Sequence, residues 1–150
     1  PLIGMDVDDL DELVTEFIEA HKEKLIDPMT FDLLERHINE FRLVASGSLD
    51  FIVKGFTNYF KLDAYLGSSY EVIDNKITGK LKKAAFAHGK LEKVREWCQK
   101  NSYIVEESFF YTDSINDLPL IKVCPRSIII SPDKKLEQYA LKNNIEILTR

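Results

Sequence analysis

The chain has 150 residues, 45% of them hydrophobic and 30% charged, which suits one core of moderate size and a single-domain reading. Its formal net charge of -5 comes from acids and bases mixed along the sequence without a basic block, so a nucleic acid or an anionic membrane is a poor partner and a small molecule a better one. Cys98 and Cys124 have no metal-ligand spacing, and no apolar run approaches the ~20 residues of a membrane span; a reducing, cytoplasmic compartment, no zinc site and no catalytic thiol are expected.

In chain order, Leu10, Leu13, Val14, Phe17 and Ile18 repeat at helical spacing. Acids crowd the first turn, Lys22 and Lys24 close the last, and Asp8 is the expected cap. Asp27 and Pro28 open a second helix as N-cap and N1, with Phe31, Leu34 and Ile38 on one face, running to about Phe41. RLVAS, Arg42 to Ser46, reads as a strand, and Ser48 as the cap of a very apolar third helix, LDFIVKGFTNYF, buried on more than one side. A buried strand AYLG starts at Ala64, and SSYEVIDNKITGKL reads as a hairpin or extended excursion around Asp74-Asn75. A helix from about Gly89 to Asn101 puts Leu91, Val94 and Trp97 on one stripe with Lys90 beside it. The strand FFYT ends at Asp113 and runs into a turn at Pro119; SIIIS, a helix begun by Pro132 and Asp133, and IEIL follow.

Strands alternating with helices indicate an α/β layer architecture with a mostly parallel sheet, in which ligands sit outside the carboxyl ends of the strands. Ser46, Asp113 and the helix lysine Lys90 can then share one rim. The chemistry that uses such a rim is phosphoryl transfer. Asp113 and Asp117 offer carboxylates to Mg²⁺, which binds through one or two carboxylates, waters and the substrate phosphate. Ser46 and Gly47 offer a hydroxyl and backbone N–H groups to phosphate oxygens, and Lys90 the balancing charge. Each residue also has an ordinary role open to it: Ser46 as a turn or cap serine, Lys90 as an exposed helix lysine, Asp113 and Asp117 as turn and cap residues.

Taken together, LVASGS, HGKLEKVREW and FFYTDSINDLPLI resemble the haloacid dehalogenase superfamily, in its branch of small phosphatases similar to phosphoserine phosphatase. The last motif is the most specific, and the resemblance covers Leu10 to Leu148. It implies a Rossmann-like three-layer α/β sandwich with part of a helical cap, residues 1–41 being cap remnant and lead-in helix and 42–150 the core. It also implies that Ser46 binds the phosphoryl group, that Lys90 (or Lys93, in a similar local pattern) steadies nucleophile and phosphate, that Asp113 and Asp117 are the metal acids with Asp113 the direct ligand, and that Asn116 is a phosphate or outer contact. Mg²⁺ is the implied cofactor and a small phosphorylated metabolite the implied substrate.

The family's nucleophile is the first Asp of a D-x-D-x-T motif ending the first central strand, and the covalent step has no substitute for it. Only MDVDDL, Met5 to Leu10, offers D-x-D, and Asp9-Leu10 stands where a Gly-Thr type turn belongs, with an amphipathic helix starting at once. Asp6 and Asp8 therefore read as an acidic helix N-terminus. Together with a start at Pro1 rather than Met, this gives the expectation that an upstream segment carries the nucleophile, and that its peptide or a second copy fills the resulting gap in the sheet. The competing class is a non-catalytic module that keeps the fold and binds phosphate. A phosphoryl-acceptor response regulator fits less well, because its acidic cluster belongs near the N-terminus.

Overall fold

The computed structural model of the protein describes residues 2–83 and 88–149. Pro1, on which part of the upstream-segment expectation rests, lies outside them. Two compact units form, residues 1–85 and 86–150.

In the first unit, α1 (Val7–Leu25) is capped by Asp6, not by Asp8 as expected. The Asp6 carboxylate accepts the Asp8 N–H at 3.0 Å, so Asp8 falls inside the first turn, where its charge suits the helix dipole. Leu10, Val14 and Ile18 are buried, whereas Leu13 and Phe17 of the same periodic pattern are exposed. Next comes α2 (Met29–Arg36), where the Asp27 carboxylate accepts the Met29 N–H at 2.8 Å. The helix stops at Arg36 instead of reaching Phe41: His37 departs from helical dihedrals, and its ring pairs with Glu40 in the turn beyond. No residue of α2 is buried, so no packing holds a longer helix together.

A parallel β-α-β unit follows, built of β1 (Leu43–Leu49), α3 (Asp50–Phe60) and β2 (Ala64–Ile73). β2 is longer than the expected AYLG strand and serves two partners: its first half pairs parallel with β1, its second half antiparallel with β3 (Lys76–Lys83). Tyr65 is exposed, and the burial lies at Gly67 and Ser68 instead. Asp74 and Asn75, at φ 52° and 61°, form the hairpin turn, with left-handed dihedrals at both positions as two-residue hairpins require. Phe51 of α3 and Ile77 of β3 join Leu10, Val14 and Ile18 in one core cluster. Gly55 makes the α1–α3 approach possible, since a Cβ there would lie 2.3 Å from Val14 Cγ1.

The second unit contains α4 (His88–Asn101), β4 (Phe109–Thr112), α5 (Leu118–Val123), β5 (Arg126–Ile130), α6 (Lys134–Lys142) and β6 (Glu146–Leu148). Its strands are ordered β4-β5-β6 and are all parallel. Ile128, Ile129 and Ile130 are buried in the middle strand, the continuous apolar run that a doubly covered parallel strand requires. Ile129 packs with Ile121, Leu136 and Ala140 of the flanking helices. α6 starts at Lys134, beside the expected Pro132-Asp133 start, and Asp133 caps it, accepting the Leu136 N–H at 2.8 Å. The stretch read as a turn at Pro119 is more ordered than that: a 3-10 turn, Ile115–Asp117, leads straight into α5, and Pro119 sits in the first turn of that helix, where its missing N–H costs nothing.

Among the described residues three of the four strand pairings are parallel, so the α/β, mostly parallel architecture expected from the sequence is the one adopted. No described helix is long and apolar enough to cross a membrane.

Candidate functional site

Ser46 and Gly47 lie in the first unit; Lys90, Asp113, Asn116 and Asp117 lie in the second.

Ser46 does not end its strand as the sequence suggested. It starts an irregularity inside β1: pairing is regular from Leu43↔Ala64 to Ala45↔Leu66, then four steps along β1 span only two along β2 before Leu49↔Ser68. The surplus chain, Ser46-Gly47-Ser48, bulges from the ladder. The Ser46 hydroxyl accepts the Ser48 N–H at 3.1 Å and so closes the turn. Ser48 caps nothing, since the residue before α3 is Leu49 and it makes no side-chain cap bond. From below, the bulge is braced by β2. Ser68, 1% exposed, donates its hydroxyl to the Gly47 carbonyl at 2.9 Å, and a Cβ on Gly67 would lie 2.6 Å from Asp50 Cα. Only glycine permits that approach of strand to helix start.

In the second unit, β4 ends at Thr112, so Asp113 stands at the carboxyl end of a parallel strand and is exposed, as is Asn116. The Asn116 backbone N–H donates to the Ser114 hydroxyl at 3.2 Å, which caps the 3-10 turn. That turn carries Asp117 back beneath the strand end, where it is 7% exposed. Both of its carboxylate oxygens are engaged. Oδ1 pairs with the Lys90 ammonium from α4, and Oδ2 accepts the Thr112 hydroxyl at 2.7 Å. Lys90 is thus a largely buried counter-charge rather than a solvated helix lysine. Lys93, one turn further along α4, is also buried, at 8% exposed.

Two residues of this arrangement escaped the sequence reading. Thr112 immediately precedes the acid motif, and a hydroxyl there is a weak signal. Ser68 is one of two adjacent serines in a strand, and nothing in its spacing marks it. Asp6 and Asp8, by contrast, are where the sequence put them, at a helix start. Asp6 Oδ1 accepts both the Asp8 N–H and, at 2.6 Å, the Asn75 side-chain amide, which reaches Asp8 Oδ2 as well at 3.1 Å. The hairpin tip is thereby tied to the start of α1. The thiols are free and buried; burial raises both, Cys124 to about 11, which suits packing rather than nucleophilic chemistry.

Residues 2–122 match the haloacid dehalogenase-like hydrolase family, and the chain belongs to that family. It is 26% identical, over 155 aligned positions covering 99% of its length, to the histidinol-phosphatase of Neisseria meningitidis, and it spans 70% of that relative but only about half of other curated relatives it matches. Its fold is that of a Bordetella pertussis protein of unknown function (TM-score 0.89, 21% identity, covering 98% of this chain and 69% of that one). The fold is also similar to that of a probable phosphoserine phosphatase from Vibrio cholerae (TM-score 0.67, 16% identity, covering 91% and 41%).

Proposed function

We propose that the chain is part of a Mg²⁺-dependent phosphomonoester phosphatase acting on a small phosphorylated metabolite, with residues 1–41 a remnant of a helical cap and its lead-in helix. The observation that carries this reading is the exposed Asp113 at a parallel strand end beside the buried Lys90–Asp117 pair, in a chain of the haloacid dehalogenase-like hydrolase family. Histidinol-phosphatase and phosphoserine phosphatase, the activities named for a relative and a structural neighbour, both take small phosphomonoesters, which supports the substrate class.

On this reading Ser46 and Gly47 offer a hydroxyl and a backbone N–H to phosphoryl oxygens, and Lys90 and Asn116 of the second unit are phosphate contacts as well. Hydrogen bonds of this kind aim fixed dipoles at the charge that builds on the phosphoryl oxygens. Lys90, oriented by its pair with Asp117, offers its remaining N–H donors to a phosphoryl oxygen. Among the described residues no group of three acids, histidines or cysteines could hold an ion, so Asp113 would offer Mg²⁺ a single carboxylate, with waters and the substrate phosphate completing its shell; Asp117, the other expected metal acid, has both oxygens engaged by Lys90 and Thr112. When bound, the ion offsets charge on the phosphate and orients it for in-line attack. The attacking carboxylate is supplied by a segment outside these 150 residues, because Asp6, the in-chain candidate, is committed to capping α1 and holding Asn75.

That same commitment of Asp6 favours a second reading for the chain by itself, a phosphate-binding module without turnover. One assay separates them. The 150-residue chain should not hydrolyse an activated aryl phosphate, and Asp6→Asn, which keeps the capping oxygen, should change nothing. A chain extended to the upstream D-x-D-x-T segment should turn over and should lose activity in Asp113→Asn. If the extended chain is also inactive while phosphate still binds, the module reading stands. Mg²⁺-dependent turnover by the 150-residue chain that Asp6→Asn abolishes would make MDVD the true nucleophile motif.

A further inference from the structure

Thr112 is the last residue of β4 and is 8% exposed. Its hydroxyl is used on both sides: it accepts the Ser114 N–H at 3.0 Å and donates to Asp117 Oδ2 at 2.7 Å. A hydroxyl whose acceptor side is held by a backbone N–H has its proton directed away from that contact, here onto the carboxylate. The β-branched side chain has few rotamers to lose in holding that direction. Asp117 in turn presents its other oxygen to Lys90.

We infer that Thr112 is a positioning residue, which fixes the rotation of the Asp117 carboxylate and through it the placement of the Lys90 ammonium. Without the Thr112 hydroxyl, Asp117 Oδ2 would be left buried without that donor, and the carboxylate would turn to find another. The carboxylate oxygen facing Lys90 would turn with it. Thr112 also joins the two halves of the motif: the N–H it accepts belongs to the turn that leaves Asp113, so one side chain sets both the exit of the strand-end acid and the angle of the buried one. Its consequence for turnover rests on the phosphatase reading above; its effect on Asp117 and Lys90 does not.

The test uses the full chain and three forms of it: unaltered, Thr112→Val, which keeps the shape and loses the hydroxyl, and Thr112→Ser, which restores it. In the unaltered protein, NMR should find the Thr112 hydroxyl proton slow to exchange with water. Amine acylation read by mass spectrometry, with exposed Lys122 as internal reference, should label Lys90 about tenfold faster in Thr112→Val and at close to the unaltered rate in Thr112→Ser. A Thr112 hydroxyl that exchanges like an exposed one, or Lys90 labelling that is unchanged in folded Thr112→Val, would overturn the inference. Should Thr112→Val fail to fold, the hydroxyl measurement and Thr112→Ser still decide it. Where turnover is measured, kcat should fall in Thr112→Val with KM little changed, and Thr112→Ser should recover it. Failure of the unaltered chain to bind inorganic phosphate would count against the phosphatase reading, and the hydroxyl and acylation results would still decide the role of Thr112.

Discussion

Lys90 on α4 and Asp117 on the 3-10 turn before α5 form an ion pair in which only 13% and 9% of the side chains are exposed. Removing two opposite charges from water is costly, and their attraction returns about what the burial takes away. Stability alone therefore gives little reason to keep such a pair. A lysine whose N–H donors are held in a fixed direction by its carboxylate gives a better one.

The pair should behave accordingly on mutation. Asp117→Ala leaves Lys90 buried without its counter-charge and should destabilise the fold by ~3–5 kcal/mol, whereas the double change Lys90→Met with Asp117→Leu should cost only the ~1–3 kcal/mol of leaving the Thr112 hydroxyl without its acceptor. Urea unfolding of the two variants beside the unaltered chain measures this. A double variant as unstable as Asp117→Ala would mean that the charges serve the fold itself.

The bulge that presents Ser46 should depend on β2. Gly67→Ala sets a methyl 2.6 Å from the Asp50 backbone and should cost ~1–3 kcal/mol, as overpacking of a filled site does. Ser68→Ala removes one neutral hydrogen bond to Gly47 and should cost ~1 kcal/mol. Both changes should raise the amide exchange rates of Gly47 and Ser48 more than those of Val44 and Ala45 in the regular ladder. Equal exchange across β1 would show that the bulge holds itself.

How much of this was legible depended on whether a residue's role is local. The α/β order, the Asp74-Asn75 turn, the Asp133 cap and the acidic nature of the α1 start all follow from nearest neighbours in sequence and were readable. Lys90 and Asp117 stood out by residue type and spacing, yet their pairing to each other, across 27 positions, did not. The Ser46 bulge was hidden for the same reason: it exists only relative to β2, 21 positions away at Ser68. Apolar spacing at Phe31, Leu34 and Ile38 mimics a packed face and so predicts a longer α2, while Phe31 and Ile38 are exposed. Two acids compete for the start of α1, and sequence alone does not show that Asp6, by accepting the Asp8 N–H, is the one that caps it.

Cys124 supplies a pH-dependent prediction. Burial raises its thiol from 9.0 to about 11. A thiol that holds its proton more tightly when folded contributes stability that is intact below the unfolded value and is lost as pH rises through about 9 to 11. Thermal melts should therefore fall across that window, and less steeply in Cys124→Ala. Alkylation of Cys124 in the folded chain at neutral pH should be roughly 100-fold slower than in an unfolded control, in line with the smaller thiolate fraction. A flat melting profile from pH 8 to 11, or alkylation as fast as in the unfolded control, would contradict the assignment.

The phosphatase proposal turns on Lys90 and Asn116 as phosphate contacts and Asp113 as a metal ligand, all in the second unit. A crystal structure of the chain soaked with Mg²⁺ and phosphate tests it most directly. The proposal predicts an anion within hydrogen-bonding distance of the Lys90 ammonium and Asn116, with Asp113 among the ligands of the metal. An anion bound elsewhere while Lys90 stays turned to Asp117 alone, or one held by Lys93 in place of Lys90, would contradict it.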